Sequence, residues 1–381
     1  MKIKKLMIIA LCAALVLSLF TGCAKKDDES DPTATGDVSQ SRAEKIYGFF
    51  NPDDIIMTVD GRNVYWKDYF YFLNLYIAEL EYYFGEIEDW QGEFEPGMTF
   101  EEYALTGAEA ELLFGAAAER GAAELGLYPK EEEMRAIIET EREASVETYG
   151  GEEAFKELLA QNYCTEEFYE YFFLKINWLS QSCFKELYGE NAEKLSNEEI
   201  ADYIANDGYM QAKHILRKTV TENDEPLPDK EKAEVRIFME DILEQLNHYE
   251  GEDFSAFFDS LMWRHSEDTG GMQLYPDGYL FQPNEMVPAF EDAWSGLKDG
   301  EYSGLVETDY GYHIVYRMPI NYDETPYSHA SQKQAGSDGY TLRKLSAMGM
   351  FGSIINGWKA QVEVVYSEEY KAFDFMKILA G

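Results

Sequence analysis

Two of the five histidines in this chain stand in segments that are typical of β-strands. His214 lies in AKHILRK, and His313 lies in YGYHIVYR, which is entered through a tight turn at Asp309 and Gly311. If the two strands are neighbours, the imidazoles could face each other, since one neutral ring can donate a hydrogen bond that the other accepts. Each histidine alone would more often be a satisfied core residue. On adjacent strands, the two would form a polar pair that buries no charge.

The segment around these histidines mixes strand and helix patterns from about residue 208 to 320. YMQAKHILRKTV alternates like a strand, and EKAEVRIFMEDILEQLNHY and FSAFFDSLMWRH have apolar residues at helical spacing. GYLF, VPAFEDAWSGL, YSGLVET and GYHIVYR then indicate strand, helix, strand and strand. The order predicts a β-α-α-β-α-β-β module.

Helical patterns precede and follow this module. After a short hairpin in IIMTVDGRNV, the predicted helices are WKDYFYFLNLYIAELEYYFG, TGAEAELLFGAAAERGAAELG, KEEEMRAIIETEREASVETYG, EEAFKELLAQN, TEEFYEYFFLKINWLSQS and SNEEIADYIAN. Gly85 is expected to end the first helix, Thr165 to cap the fifth, and Ser196 with Glu199 to form a capping box. Beyond a polar stretch at residues 321–339, LRKLSAMGMFGSIINGWKAQVEVVY and SEEYKAFDFMKILAG are predicted to be helical.

That C-terminal part is too short for a core of its own, so we expect it to pack back onto the first helices. We therefore predict an α+β chain in which residues 45–205 and 321–381 form one helical domain. Residues 206–320 would be an α/β domain inserted between its two parts.

The first residues have the features of a targeting segment. Lysines precede an apolar run at residues 6–20, which is short for a membrane span, and small residues follow before Cys23. LFTGC resembles the lipobox of bacterial lipoproteins, with Phe20 where that motif usually has Leu. We predict a lipoprotein signal peptide at residues 1–22, lipidation of Cys23 and a flexible tether at residues 23–44. The alternative is a plain secretory signal with an incidental cysteine.

The net charge of -41, from 73 acidic and 32 basic residues, excludes a phosphate-binding surface for nucleic acid. Cys164 and Cys183 flank one predicted helix, along which they would be about 28 Å apart. Two cysteines can form a disulfide only when their Cα atoms are less than about 7 Å apart. We expect two buried thiols.

The segments AKHIL, HSEDTGG, NEMVPAFEDA, GLKDGEYSG and LVETDYGYHIVYR resemble the parvulin family of peptidyl-prolyl cis/trans isomerases over residues 208–320. The resemblance implies that His214 and His313 are the family's central histidine pair. It implies further site positions at Asp268 and at Thr308, and a proline pocket at Met286 and Phe290. GGMQLYPDGYLF departs from the family's usual GGDLG-type run, so the pocket wall there is expected at Leu274, Tyr279 or Phe281. Tyr310 stands where the family often has a small polar residue.

Peptide-bond isomerisation breaks no covalent bond, so we expect neither a nucleophile nor a cofactor. The histidines show no metal-ligand spacing, which leaves metal-dependent hydrolysis poorly supported. Arg217 and Lys218 are followed by Glu222, Asp224 and Glu225, a poor setting for reading phosphoserine-proline.

The lipobox, the helical halves and the inserted module together resemble PrsA-type and SurA-like extracytoplasmic foldases. This resemblance implies lipid anchoring at the outer face of the bacterial cell membrane, unfolded secreted proteins as partners and a possible homodimer. The first long helix carries aromatic residues on every side, most of which we expect to be buried while the rest meet clients. One alternative is a binding-only chaperone with a silent module. Another is a solute-binding lipoprotein, but repeated βαβ units are not seen.

Overall fold

The computed structural model describes Tyr47, residues 49–336 and residues 340–379. The predicted signal peptide, the tether and Cys23 lie outside these residues. The chain forms two compact units. The helical unit comprises the described residues up to Leu187 and from Phe351 onward, and the sheet unit is Tyr188–Met350. The predicted α+β class with an insertion is therefore confirmed, although the sheet unit begins before residue 206 and ends after residue 320.

The helical unit begins with a hairpin and continues as a series of helices. In chain order its first elements are β1 Ile55–Val59, β2 Arg62–Tyr65, α1 Trp66–Phe84, β3 Glu93–Glu95, β4 Met98–Thr99, α2 Phe100–Glu124, α3 Glu131–Thr148, α4 Glu152–Gln161, α5 Glu166–Phe168, a π-helical stretch Tyr169–Ile176, and α6 Asn177–Tyr188.

Several predicted boundaries agree with these elements. β1 and β2 pair antiparallel around Asp60 and Gly61, both with positive φ. Gly85 follows α1 with φ 73°, and the Thr165 side chain accepts the N–H of Phe168 at the start of α5. α2 begins earlier than predicted, because Thr99 forms a capping box with Glu102 ahead of the apolar pattern.

The sheet unit places its helices around a four-stranded sheet. Its elements are α7 Asn197–Tyr203, β5 Met210–Lys218, α8 Asp229–Asn247, α9 Phe254–His265, α10 Thr269–Leu274, β6 Tyr279–Phe281, α11 Pro288–Ser295, β7 Val306–Glu307, β8 Gly311–Arg317, a 3-10 turn Tyr327–His329, α12 Ala330–Gln334 and α13 Leu342–Lys359, which runs on into the helical unit.

The strand order is β6-β5-β8-β7, so the first and last long strands are neighbours. One face of this sheet packs on α8 and α9 through an apolar cluster that includes Ile215, Ile314 and Phe258. The Ser196 and Glu199 capping box of α7 is present as predicted. α10 and α12 were not predicted from the sequence.

The C-terminal part of the helical unit contains β9 Val364–Tyr366, α14 Glu368–Lys371 and α15 Met376–Leu379. The helical prediction for VEVVY was wrong. β9 pairs antiparallel with β1, with Met57 opposite Tyr366, and completes a three-stranded sheet. Its β-branched residues therefore add a third strand to the β1–β2 hairpin, which is the only part of this sheet that the sequence predicted.

The core of the helical unit is rich in aromatic side chains. Trp66, Tyr69 and Phe70 are buried, whereas Tyr82 and Tyr83 at the end of α1 are exposed. Cys164 and Cys183 are both buried and free, as predicted. Burial raises the pKa of Cys164 to about 12, so this thiol stays protonated at neutral pH. Among the described residues, no helix combines the length and apolar character needed to cross a bilayer.

Candidate functional site

The sheet register brings the two histidines together. In the β5–β8 ladder, His214 is opposite Val315 and His313 is opposite Leu216, so both imidazoles project from the same face. Their Nδ1 atoms are 3.0 Å apart, and both side chains are buried. This face lies opposite the one that packs on α8 and α9. The sequence placed the histidines on two strands, and the diagonal register makes them a pair.

Asp268 binds the outer nitrogen of His214. Its Oδ2 lies 2.7 Å from His214 Nε2 and accepts a hydrogen bond of 2.6 Å from the Tyr279 hydroxyl. Its Oδ1 accepts the backbone N–H of Gly271 at 3.2 Å, which makes Asp268 the N-cap of α10. Burial alone would raise the pKa of Asp268, but the bond and charge of His214, followed by Tyr279 and Gly271, outweigh burial and lower it to about 2.

An ionised Asp268 is a hydrogen-bond acceptor at one end of a polar chain. The carboxylate accepts from His214 Nε2–H, and the Nδ1 atoms of His214 and His313 share one hydrogen bond. His313 Nε2 and the Thr308 hydroxyl share a hydrogen bond of 2.8 Å, and Thr308 Oγ1 accepts the N–H of Tyr310 at 3.2 Å. The result is a continuous polar chain from Asp268 to Tyr310.

His313 is the uncharged member of this polar chain. Burial, and next the neighbouring His214, lower the pKa of His313 to about 3, although Asp268 opposes the shift. An imidazole in this position stays uncharged down to strongly acidic pH. The His313 end of the polar chain therefore carries no charge across the physiological pH range.

Aromatic and apolar side chains lie against one side of the polar chain. The Phe290 ring is edge-on to His214 at 5.4 Å and to His313 at 5.9 Å, and it contacts Phe281 at 5.9 Å between ring centroids. Phe281 and Phe290 are fully buried, whereas Met286 and Tyr279 are partly exposed and pack on the same cluster. The two phenylalanines form a floor, and Met286 and Tyr279 border the solvent.

The side chains of Leu274, Tyr310 and Arg217 are not part of the polar chain. Leu274 is half-buried at the end of α10, and Tyr310 is exposed. Arg217 forms an ion pair with Glu267 and lies over the Phe238 ring, so it is engaged within the sheet unit. The part of the chain that the structure describes contains no group of three or more His, Cys, Asp or Glu side chains placed to hold a metal ion.

Two features of this site were not predicted from the sequence. Tyr279, expected as a pocket wall, donates its hydroxyl to Asp268. Gly271 supplies a backbone donor to the same carboxylate. The second feature has a sequence signal, because an Asp three residues before a helical N–H is a typical N-cap.

Residues 214–319 match the family described as the PPIC-type PPIASE domain, or Rotamase. The chain is 36% identical over 123 residues to a foldase protein PrsA of Geobacillus sp. (strain WCH70), which covers 32% of this chain and 37% of that protein. It is 30% identical over 181 residues to a foldase protein PrsA of Staphylococcus aureus (strain MRSA252), covering 47% and 50% of the two chains. This chain thus spans about a third to a half of the length of these relatives.

A crystal structure of the peptidylprolyl isomerase PrsA from Bacillus anthracis is also similar. It is 18% identical, with coverage of 66% of this chain and 96% of that one and a TM-score of 0.26. A TM-score of this size does not define a shared overall arrangement. The sequence match over residues 214–319 confirms the resemblance to the parvulin domain family, and the PrsA relatives confirm the resemblance to foldases.

Proposed function

We propose that this chain catalyses cis/trans isomerisation of X-Pro bonds in secreted proteins, because its residues 214–319 match a PPIC-type PPIASE domain. We also propose that it acts as a chaperone for the same proteins. The observation that carries the isomerase proposal is the hydrogen-bonded polar chain from Thr308 to Asp268 beside an apolar floor. Rotation about an X-Pro bond needs a suitable environment for the amide, and it needs no bond to be broken.

The site residues have distinct roles in this proposal. Met286 and Tyr279 contact the proline ring of the client, above the floor of Phe281 and Phe290. An apolar contact of this kind removes water from the amide and disfavours its polar planar form. His214, His313, Thr308 and Asp268 surround the rotating carbonyl with oriented dipoles, and none of these groups has to gain or lose a proton.

The helical unit binds unfolded segments of clients. Support comes from aromatic side chains at the end of α1, where Tyr82, Tyr83 and Phe84 are exposed by 51%, 67% and 53%. Phe84 packs on Phe94 and Phe100, so the exposed rings border a larger aromatic cluster. An exposed patch of large apolar side chains on a highly charged chain suits the apolar segments of an unfolded polypeptide.

Cys23 carries a lipid that anchors the protein to the outer face of the bacterial cell membrane. Support comes from the LFTGC motif after an apolar run. Replacing Cys23 by Ser should release the protein or leave the precursor uncleaved, which fractionation of cells would show. Unaltered membrane retention with normal processing would contradict anchoring. A homodimer stays a prediction.

The isomerase proposal is tested with the full chain, using an X-Pro peptide and a refolding reaction limited by proline isomerisation. His313→Ala should lower kcat/KM at least about tenfold, whereas the exposed His248→Ala in the same unit should not. Met286→Ala should lower the rate with little loss of stability. An inactive parent chain that still suppresses client aggregation would support the alternative of a binding-only chaperone.

The client-binding proposal has a separate test. Tyr82→Ser together with Tyr83→Ser should weaken suppression of aggregation and leave the peptide isomerase rate unchanged. Tyr128→Ser is the matched control, because Tyr128 is an exposed tyrosine of the same unit outside the α1 cluster. Equal suppression by the double variant and the parent would place client binding elsewhere.

A further inference from the structure

Three tyrosines pack together beside Asp268. Tyr279 lies 5.1 Å from Tyr275 and 5.9 Å from Tyr327, measured between ring centroids. Tyr279 also has its ring edge-on to His214 at 5.7 Å, and its hydroxyl donates to Asp268. The tyrosine group therefore contacts the polar chain at its acidic end.

Tyr327 belongs to residues 321–336, which lie in the polar stretch predicted at residues 321–339. Hydrogen bonds and an ion pair hold the start of this segment. The N–H of Asn321 donates to the side-chain oxygen of the buried Gln211 on β5. Arg343 of α13 pairs with Asp323 and donates to the backbone oxygen of Leu195 at 2.7 Å. The segment is thus a structured part of the sheet unit.

Side chains inside the segment hold it against the tyrosines. Glu324 is buried and forms an ion pair with Lys333. The Lys333 ammonium lies 4.3 Å from the centroid of the Tyr275 ring, a cation–π geometry. The 3-10 turn that carries Tyr327 is consequently supported from both sides, and its ring is held beside Tyr279.

The absence of a side chain at Gly271 is an independent observation that supports the hydrogen bond from the Tyr279 hydroxyl to Asp268. A Cβ atom at Gly271 would lie 1.5 Å from the Tyr279 hydroxyl oxygen and 2.4 Å from Asp268 Oδ2. Any side chain here would displace one of the two groups. The backbone of α10 therefore leaves room for this hydrogen bond.

We propose that Tyr279 is a positioning residue that holds Asp268 against His214, and that Tyr327, from residues 321–336, holds Tyr279 in place. This role of the Tyr279 hydroxyl adds to the contact that its ring makes with the client proline. The effect of this positioning role on the isomerase rate rests on the proposed function. Its effect on the pKa of Asp268 is independent of that function.

The test compares Tyr279→Phe, Tyr327→Ala and Tyr327→Phe in the full chain. Tyr279→Phe keeps the ring and removes the donor. It should raise the Asp268 pKa, followed by the carboxyl carbon resonance in NMR, and lower kcat about tenfold with KM little changed. Tyr327→Ala should change both quantities in the same direction by a smaller amount. Tyr327→Phe is the matched control and should behave like the parent.

Three outcomes would overturn the proposal. An unchanged Asp268 titration in Tyr279→Phe would mean that the hydroxyl does not hold the carboxylate. A raised KM with unchanged kcat in that variant would mean that Tyr279 only contacts substrate. Equal effects of Tyr327→Ala and Tyr327→Phe would exclude the support by Tyr327. If the parent chain is inactive while the Asp268 titration moves as expected, the isomerase function fails and the positioning contact stands.

Discussion

Two carboxyl groups, the half-buried Asp268 of the sheet unit and the buried Glu111 of the helical unit, have pKa values shifted in opposite directions. Asp268 in the sheet unit accepts from His214, Tyr279 and the Gly271 N–H, and its pKa falls to about 2. Glu111 in the helical unit accepts from the Tyr76 hydroxyl at 3.0 Å, and its pKa rises to about 7.

Burial raises the pKa of both carboxyls and is the largest contribution in each case. The difference lies in how many donors face the carboxylate, because each hydrogen bond to the charged form favours ionisation. Three donors outweigh burial at Asp268. At Glu111, the Tyr76 bond and then the charge of Lys359 do not. The contrast shows that burial alone does not decide whether a carboxyl is charged.

The largest expected effect is an opposite response of the two units to acid. His313 has a folded pKa of about 3 against an ordinary value of 6.5, so below pH 6.5 the unfolded chain binds a proton that the folded site refuses. The sheet unit should lose stability from pH 6.5 down to about 3, and Asp268 should extend the loss to about pH 2. Each unit of pKa difference is worth about 1.4 kcal/mol.

The helical unit should respond in the other direction over part of this range. Glu111 and Glu79, both with a pKa raised to about 7 by burial, hold protons in the folded state that the unfolded chain releases above pH 4.5. Their contribution to stability is complete below pH 4.5 and is lost as the pH rises to about 7. Amide hydrogen exchange of α1 and of β5, followed against pH, measures the two units separately. Parallel pH slopes in both units would break the comparison.

Asp268→Ala should give the next largest effect. It leaves the donors of His214 and Tyr279 without their acceptor, at a cost of about 3 kcal/mol in the sheet unit at pH 7. Asp268→Asn keeps an acceptor oxygen and should cost less. Urea unfolding followed by exchange of the β5 amides measures both variants. Equal costs for the two would mean that the acceptor oxygen contributes nothing.

The histidine pair should show a smaller, coupled effect. His214→Ala or His313→Ala leaves the other ring buried and short of a partner, at about 1 to 3 kcal/mol each. The double variant should cost less than the sum of the single variants, because their shared bond is lost only once. A double-mutant cycle on unfolding free energies tests this. Strictly additive losses would mean that the 3.0 Å contact has no energetic value.

Glu111→Gln should give the smallest effect and the opposite sign. Gln stays neutral, so at pH 8 it removes the cost of a buried negative charge and should stabilise the helical unit by about 1 kcal/mol. At pH 5, where Glu111 is protonated, the change should be close to zero. Thermal unfolding at both pH values measures the difference. A destabilised variant at pH 8 would show that Glu111 has donors comparable to those of Asp268.

Local signals predicted much of the sheet unit. Period-2 alternation around His214 and His313 identified β5 and β8, and the resemblance to parvulins indicated Asp268 and Thr308. The register that places Leu216 opposite His313 could not be predicted, because it depends on pairing across about a hundred residues of chain. Tyr327 was missed because its neighbours are polar, and the ion pair between Lys333 and the buried Glu324 that orders them depends on tertiary contacts.

In the helical unit, too, local signals predicted some features and non-local contacts determined others. The Gly85 and Thr165 boundaries follow from capping rules that act within a few residues. β9 did not follow from such rules, since VEVVY continues a helical segment and its partner β1 lies some three hundred residues earlier. Non-local pairing overrides the local pattern there.

The pairing of β9 with β1 also imposes an order on biosynthesis. The ribosome makes β1 before the sheet unit and β9 after it, so the three-stranded sheet cannot close until the whole of Tyr188–Met350 has been translated. The sheet unit is contiguous and can complete its own core first, whereas the helical unit must wait with an unpaired strand edge. A nascent chain stalled before Val364 should therefore protect the β5 amides and leave β1 open to proteolysis.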